Sequence, residues 1–259
     1  MNIEKLLKIL MMQNKIIINR GDLMKPVIGI PLRYQKLVDY RAIVYMSESM
    51  RRTVQLAGGF VYAISPVQNL ANIHTKGNEF PELTDSEKED INTSLNMCDG
   101  IIFPGGIKFT PYDRYLFEMA IEKKIPVLGI CLGMQMMSCL KKDIELFDVE
   151  TGINHYQDSD FELSHTVKIS KESKLFQIIG KEEIIVNSYH KRCIGSNDLF
   201  KISAVSDDGI IESIEYLGDS FAVGVQWHPE ISYEFDENSK KVIDNFIEVC
   251  KKHSLERSV

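Results

Sequence analysis

The sequence predicts a single α/β domain, with a mostly parallel central sheet flanked by helices and an additional β-rich C-terminal half. Two observations carry this expectation. From Pro26 onward short apolar runs alternate with stretches of helical period, the pattern of parallel strands joined by crossover helices. Beyond Asp143 that alternation gives way to closely spaced strand-like runs. No internal repeat, low-complexity tract or linker divides the chain, and 259 residues that are 44% hydrophobic suffice for one full core.

Taken in order, Val27 to Pro31 reads as the first strand. Ile43, Met46, Met50, Val54 and Ala57 recur at helical spacing, and Gly58-Gly59 supplies a C-terminal stop. Phe60 to Ile64 is the next strand, closed by Ser65-Pro66, and a polar irregular stretch from 67 to 85 leads to a helix over Ser86 to Met97. Ile101-Ile102-Phe103 is a strand ending in Pro104-Gly105-Gly106. Tyr112, Tyr115, Leu116, Met119 and Ala120 mark one helix face, closed by Lys123-Lys124, whose charge suits a helix C-terminus. Pro126 to Ile130 is the clearest central strand, and Leu132, Gln135, Met136 and Cys139 suit a helix that starts at once. Further strands are expected over His165 to Ile169, Glu183 to Val186, Phe200 to Val205, Ile210 to Tyr216 and Phe221 to Trp227, with Asp208-Gly209 turning a hairpin. Val242, Ile243, Phe246, Ile247 and Cys250 give a last amphipathic helix.

Composition narrows the function. Thirty Lys and Arg against 37 Asp and Glu give a formal charge of −7. Without a long basic stretch there is nothing to hold a phosphate backbone, so nucleic acid is not expected as a partner. Five cysteines at wide spacings, with no CxxC and no paired Cys/His cluster, point away from a disulfide framework and a structural zinc, and toward a reducing, cytoplasmic setting. The longest apolar stretch, Ile125 to Met137, is broken by Pro126, Gly129, Gly133 and Gln135, so no membrane span and no membrane partner are expected. Residues 1–24 contain Leu6, Leu7, Ile9, Leu10, Met11 and Met12. Glu4 and Lys8 interrupt that run and no small-residue cleavage site follows, so the segment reads as a non-catalytic N-terminal extension.

Three strand ends carry chemistry. In Gly129-Ile130-Cys131-Leu132-Gly133 a cysteine flanked by glycines at −2 and +2 lies between a buried strand and a helix. This is the pattern of a nucleophile elbow, where larger neighbours would clash and the helix N-terminus favours thiolate. Alone, the pentapeptide also fits a buried cysteine in a tight turn. In Gln226-Trp227-His228-Pro229-Glu230 the proline is expected to bar a helix and hold His228 extended, so that His228 and Glu230 share a face. An imidazole oriented by a carboxylate in this way can take a proton from a thiol. Phe103-Pro104-Gly105-Gly106 leaves backbone N–H groups exposed, and Gly105 and Gly106 with the N–H of Leu132 could form an oxyanion hole.

With these stretches in this order, the chain resembles the class I glutamine amidotransferase superfamily, and within it the γ-glutamyl-γ-aminobutyrate hydrolase-like family of γ-glutamyl hydrolases. The resemblance spans about residues 25 to 252. It also rests on Lys25 to Pro31, Ala57-Gly58-Gly59, Met134-Gln135, Val186-Asn187-Ser188-Tyr189-His190 and Gly224-Val225. It implies a flavodoxin-like amidotransferase fold over residues 25–254, a Cys131, His228 and Glu230 triad, and contact with the glutamyl group by Gln135, Asn187, Ser188, Tyr189 and His190. It implies a cysteine hydrolase that cleaves the γ-glutamyl amide of a small amine through a thioester, with no metal and no organic cofactor. A homodimer is compatible with it.

The departures bear on the leaving group. Leu132 stands where hydrolases of this family usually have Arg, Lys141-Lys142-Asp143-Ile144 replaces a stretch resembling Gly-Gly-Thr-Leu, Lys191 and Arg192 replace His and Gln, and Lys108 stands near the usual acidic position. Two rivals follow: a glutaminase subunit that supplies ammonia to a separate synthase, favoured by Leu132, and a non-catalytic binding protein on the same fold. The basic pairs Lys123-Lys124, Lys191-Arg192, Lys240-Lys241 and Lys251-Lys252 read as solvated faces, and of these Lys191-Arg192 alone could instead meet an acidic leaving group.

Overall fold

A computed structural model describes residues 25–36, 42–68, 81–140, 146–159 and 162–257. The expectations for residues 1–24 and for Lys141-Lys142-Asp143-Ile144 lie outside them. The strands are β1 (Val27–Pro31), β2 (Arg33–Lys36), β3 (Ala42–Tyr45), β4 (Phe60–Ile64), β5 (Gly100–Phe103), β6 (Val127–Ile130), β7 (Leu146–Asp148), β8 (His165–Ile169), β9 (Glu183–Val186), β10 (Arg192–Ile194), β11 (Phe200–Ser206), β12 (Ile211–Tyr216) and β13 (Ala222–Val225). The helices are α1 (Glu48–Leu56), α2 (Asp85–Asn96), α3 (Pro111–Glu122), α4 (Leu132–Ser138), α5 (Lys174–Ile179), α6 (Pro229–Ser232) and α7 (Glu237–Arg257). The last runs past the expected domain end at 254.

One nine-stranded sheet has the order β4-β1-β5-β6-β13-β12-β11-β8-β9. From β4 to β13 the neighbours are parallel, and from β13 to β9 they are antiparallel. The β-rich C-terminal half therefore extends the parallel sheet instead of forming a layer of its own. β5, β6 and β13 run side by side in a register that pairs Phe103 with Gly129 and Ile130 with Val225. The residues that follow all three strands emerge together at one carboxyl edge, where open α/β sheets bind ligands.

Successive side chains along the strands pack on opposite faces of the sheet. Ile28, Ile30, Ile102 and Leu128 pack with Met50 and Val54 of α1 and Val242, Ile243, Phe246 and Ile247 of α7. Ile101, Phe103 and Val127 face Ile91 and Leu95 of α2 and Tyr112, Leu116 and Phe117 of α3. Each such aliphatic side chain contributes about 1.5–3 kcal/mol relative to exposure. Capping boxes start α2 (Thr84 with Glu87) and α3 (Thr110 with Asp113, Pro111 following). Gly100 permits a close approach between layers, since a Cβ there would lie 2.1 Å from Cys250 Sγ.

The structure corrects several local expectations. Ile43 and Met46 are not helical: the β-branched Ile43-Val44 lies in β3, which pairs with β2. α1 begins only at Glu48, because the Ser47 side chain accepts from the Met50 N–H and caps it there. Helix α5, capped by Ser173 and stopped by Gly180 at φ +77°, and the three-residue pair β7–β10 were not expected. Gly209, at φ +84°, does turn the β11–β12 hairpin.

Candidate active site

Cys131 ends β6 with φ +52° and ψ −106°, a conformation a side chain rarely adopts. The surrounding packing holds it. A Cβ on Gly133 would lie 2.1 Å from the Phe103 carbonyl oxygen, and one on Gly129 would meet Met137 Sδ at 2.3 Å and the Gly133 backbone at 2.9 Å. The two glycines of the expected elbow are thus required by backbone-to-backbone approach. All five cysteines are free and buried. Burial pushes the Cys98 thiol up to about 12 and raises that of Cys250 well above its ordinary value, so neither is a ready nucleophile.

His228 follows β13, and its Nδ1 lies 2.8 Å from Glu230 Oε1. Here Pro229 does the reverse of what the sequence suggests. It occupies the first position of α6, where its missing N–H costs nothing, and Glu230 is the next helical residue. The His228–Glu230 pair therefore forms across a helix start and not along an extended strand. Thr53 Oγ1 donates to the Glu230 carbonyl at 3.0 Å, fixing that backbone against α1. Donation from Nδ1 to Glu230 leaves Nε2 for Cys131, with which His228 is hydrogen-bonded. Burial would lower the imidazole pKa, but Glu230 and Cys131 outweigh it and hold the value well above the ordinary one. A thiol, a base and an orienting carboxylate placed like this can move a proton from sulfur to imidazole.

Gly105 and Gly106 face this group. A Cβ on Gly105 would meet His228 Cε1 at 2.6 Å and Cys131 Cβ at 3.6 Å, and one on Gly106 would meet Leu132 Cδ2 at 3.0 Å. Leu132 opens α4, so its N–H has no partner within the helix. The turn is fixed by Arg33, which sequence reasoning missed. Its Nε donates to the Gly105 carbonyl at 3.1 Å, its Nη2 to the Pro104 carbonyl at 2.7 Å, and its Nη1 to Asp113 Oδ1 at 2.6 Å. With two carbonyls tied to Arg33, this stretch of backbone is held in place. Nothing in the sequence around Arg33 marks it, because its partners lie 71 to 80 residues away.

The residues expected to touch a glutamyl group lie close by, but most are occupied. Asn187 is fully buried: its Nδ2 donates to the His228 carbonyl and its Oδ1 accepts from the His228 N–H, both at 2.8 Å. Gln135 Nε2 donates to the Arg192 carbonyl at 2.9 Å and to Gln226 Oε1 at 3.0 Å. Ser188 Oγ donates to the His155 carbonyl. Tyr189 lays its ring edge-to-face on His228, with centroids 5.5 Å apart. His190 is buried among His155, His165 and Glu212, a group the sequence reading also missed because its members lie on separate segments.

A cavity of about 700 Å³ opens beside Leu132, with Lys88, Lys108, Arg114 and Arg192 in its wall together with Glu82 and Glu118. Lys191 instead places Nζ 4.3 Å from the Tyr156 ring centre. Among the described residues no helix is long and apolar enough to cross a membrane.

Known proteins agree with this architecture. The Peptidase C26 family profile matches residues 110–230. A Schizosaccharomyces pombe protein provisionally named a glutamine amidotransferase is 33% identical over 197 residues, covering 62% of this chain and 73% of that one. One component of the glutamine-hydrolysing GMP synthase of Methanococcus aeolicus is 30% identical (58% and 73% covered), and γ-glutamyl-γ-aminobutyrate hydrolase from Escherichia coli O157:H7 is 27% identical (55% and 60% covered). The glutaminase domain of Trypanosoma brucei CTPS, solved with bound acivicin, superposes with a TM-score of 0.59 at 15% identity, covering 88% of this chain and 94% of that one. A Cys-bearing strand-to-helix elbow at the carboxyl edge of a β4-β1-β5-β6-β13 parallel sheet, with those relatives, places the chain in the Peptidase C26 family of class I glutamine amidotransferase-like proteins.

Proposed function

We propose that the protein is a cytoplasmic cysteine hydrolase that cleaves the γ-glutamyl amide bond of a small amine. The observation that carries this is His228, held at 2.8 Å by Glu230 and hydrogen-bonded to Cys131 on the elbow. His228 Nε2 takes the Cys131 proton and the sulfur attacks the γ-carbonyl carbon. The N–H groups of Gly105, Gly106 and Leu132 receive the charge that develops on the oxygen. As the carbon–nitrogen bond breaks, His228 returns the proton to the leaving amine. Water, deprotonated by the same imidazole, then attacks the γ-glutamyl thioester, releasing glutamate and restoring the thiol. In this scheme Asn187 positions His228 by its backbone. Residues 25–254 form the hydrolytic unit, and five free cysteines suit a reducing compartment.

The cavity beside Leu132 supports an acidic leaving group, since four cationic side chains share its wall with two carboxylates. A panel of γ-glutamyl amines with carboxylate-bearing, neutral and cationic amines, read by mass spectrometry, tests the reading. Preference for the carboxylate-bearing amines, with KM raised about 10-fold in Arg192→Glu for them alone, is expected from the loss of roughly 1.4 kcal/mol of binding. A preference for cationic amines contradicts it. The rival glutaminase reading is favoured by Leu132 and by the 30% identity to a component of the glutamine-hydrolysing GMP synthase of Methanococcus aeolicus. It predicts turnover of free glutamine that rises when a synthase is added, whereas strong partner-free turnover of γ-glutamyl amines excludes it.

A further inference from the structure

The antiparallel half of the sheet holds a buried group of side chains to which the proposed hydrolysis gives no task. His155, His165, His190 and Glu212 each turn one potential ligand atom toward a common point, and those atoms lie within 4.8 Å of one another. Their side chains are 0 to 3% exposed. Glu212 Oε1 stands 3.4 Å from His155 Nδ1, 3.5 Å from His190 Nε2 and 3.6 Å from His165 Nε2, and the first two nitrogens are 3.1 Å apart.

The outward nitrogens settle what the inward ones carry. His190 Nδ1 lies 3.0 Å from the Arg192 carbonyl and His165 Nδ1 lies 3.3 Å from the Thr166 carbonyl. A carbonyl only accepts, so both Nδ1 atoms carry hydrogen. His155 Nε2 lies 3.0 Å from Asp208 Oδ2 and donates to that carboxylate in the same way. In a neutral imidazole the other nitrogen is then a bare lone pair. With all three imidazoles neutral, three lone pairs and a carboxylate oxygen converge with no donor among them, and an added cation, a proton or a metal ion, is needed to relieve them. Accordingly, both Glu212 oxygens and His165 Nε2 are buried without a hydrogen-bond partner among the described residues. An anion with its surroundings in this state is costly to bury unless a cation joins it.

We propose that this cluster is a binding site for one divalent transition-metal ion, Zn²⁺ by preference, held by His155 Nδ1, His165 Nε2, His190 Nε2 and Glu212 Oε1. A tetrahedron with bonds of about 2.0–2.1 Å has edges of about 3.3–3.4 Å, and the measured separations that involve Glu212, with the His155–His190 one, run from 3.1 to 3.6 Å. The outer partners, one carboxylate and two backbone carbonyls, are those that orient metal-bound imidazoles. Imidazole and carboxylate donors without thiolate suit Zn²⁺ and its neighbours in the first transition row better than Ca²⁺ or Mg²⁺. Four buried protein ligands make the site a structural one. It would tie β8 and β12 to the segment after β9, where His190 follows Asn187 and hence the backbone clamp on His228.

The test is metal analysis of the full chain, freed of metal with EDTA, exposed to zinc chloride and desalted. About one zinc per chain is expected, with a Tm roughly 5–10 °C above that of the metal-free protein at free zinc a hundredfold above Kd. Glu212→Gln and His165→Gln should lose that stoichiometry, and Cys131→Ala should keep it. Because the cluster variants can unfold for other reasons, Co²⁺ is added to metal-free wild-type protein as well. Four-coordinate d–d bands without thiolate charge transfer are expected. Wild-type protein that takes up no stoichiometric metal, showing that protons alone fill the cluster, overturns the proposal. So do folded variants that keep the metal, or a Co²⁺ spectrum with thiolate charge transfer.

Discussion

Asn187→Ala separates a positioning residue from a substrate contact. In the wild-type protein the Asn187 amide closes a reciprocal pair of 2.8 Å hydrogen bonds with the N–H and carbonyl of His228, and Nδ2 also reaches Ser232 Oγ at 3.2 Å. Each bond is worth about 1 kcal/mol net, and each His228 backbone group left buried and unpaired adds to the cost, so the loss is about 2–4 kcal/mol. For a chain of this size that lowers Tm by roughly 5–15 °C. The same loss frees the imidazole to shift, and a displacement near 1 Å costs about 10²-fold in kcat. Thermal unfolding and steady-state kinetics on a γ-glutamyl amide give both numbers. The expected pattern is a large fall in kcat with KM close to wild type. A KM raised many-fold at unchanged kcat and unchanged Tm would refute the reasoning and restore Asn187 to the substrate.

Other outcomes follow from the same geometry. Gly133→Ala forces a Cβ to 2.1 Å from the Phe103 carbonyl, and because that neighbour is backbone the cost is at least about 3 kcal/mol by denaturant unfolding. Gly152→Ala, where a Cβ meets nothing within 4 Å, should change little and serves as its control. Arg33→Met unties the Pro104 and Gly105 carbonyls and removes the cation paired with the buried Asp113 carboxylate, which keeps its Thr110 bonds, a loss of about 3–5 kcal/mol, with kcat falling more than KM rises. Equal kcat in a folded Arg33→Met would show that the 104–106 backbone needs no such tie. Burial alone would depress the His228 pKa, but Glu230 and Cys131 together raise it. A folded value above the unfolded one, about 6.5, means that protonated His228 stabilises the fold. That contribution is complete below the unfolded value and vanishes as pH rises through the folded one. Removing the sulfur in Cys131→Ala should move the imidazole titration seen by NMR downward, and a fixed titration would mean that the two side chains are not coupled.

What the sequence showed depended on how local the physical cause was. β1, β5, β6 and β13 were legible because buried parallel strands are short continuous apolar runs, and the edge strand β4 because its run is also apolar. The elbow was legible because its cause is steric and lies within five residues: only glycine at 129 and 133 leaves room for the Met137 and Phe103 contacts. Pro229 misled because the same ring that ends a helix is tolerated at its first position. Ile43 and Met46 fit a helical period by chance while Ser47 set the real start of α1. Arg33 and the His155, His165, His190 and Glu212 cluster were invisible for a different reason. The cluster's members come from strands and loops brought together by the antiparallel extension of the sheet, Arg33 meets partners 71 to 80 residues away, and no spacing rule spans those distances. The burial of Asn187 and its reciprocal bonds to His228, 41 residues away, appear only in three dimensions.

The central claim is that Cys131 carries the γ-glutamyl group. Acid quenching of the protein during turnover of a γ-glutamyl amide, followed by intact-mass and peptide mass spectrometry, addresses it directly. One γ-glutamyl unit on the peptide containing Cys131, absent in Cys131→Ala along with a loss of turnover of about 10⁴-fold or more, is the predicted result. Turnover that persists in a folded Cys131→Ala protein would contradict it.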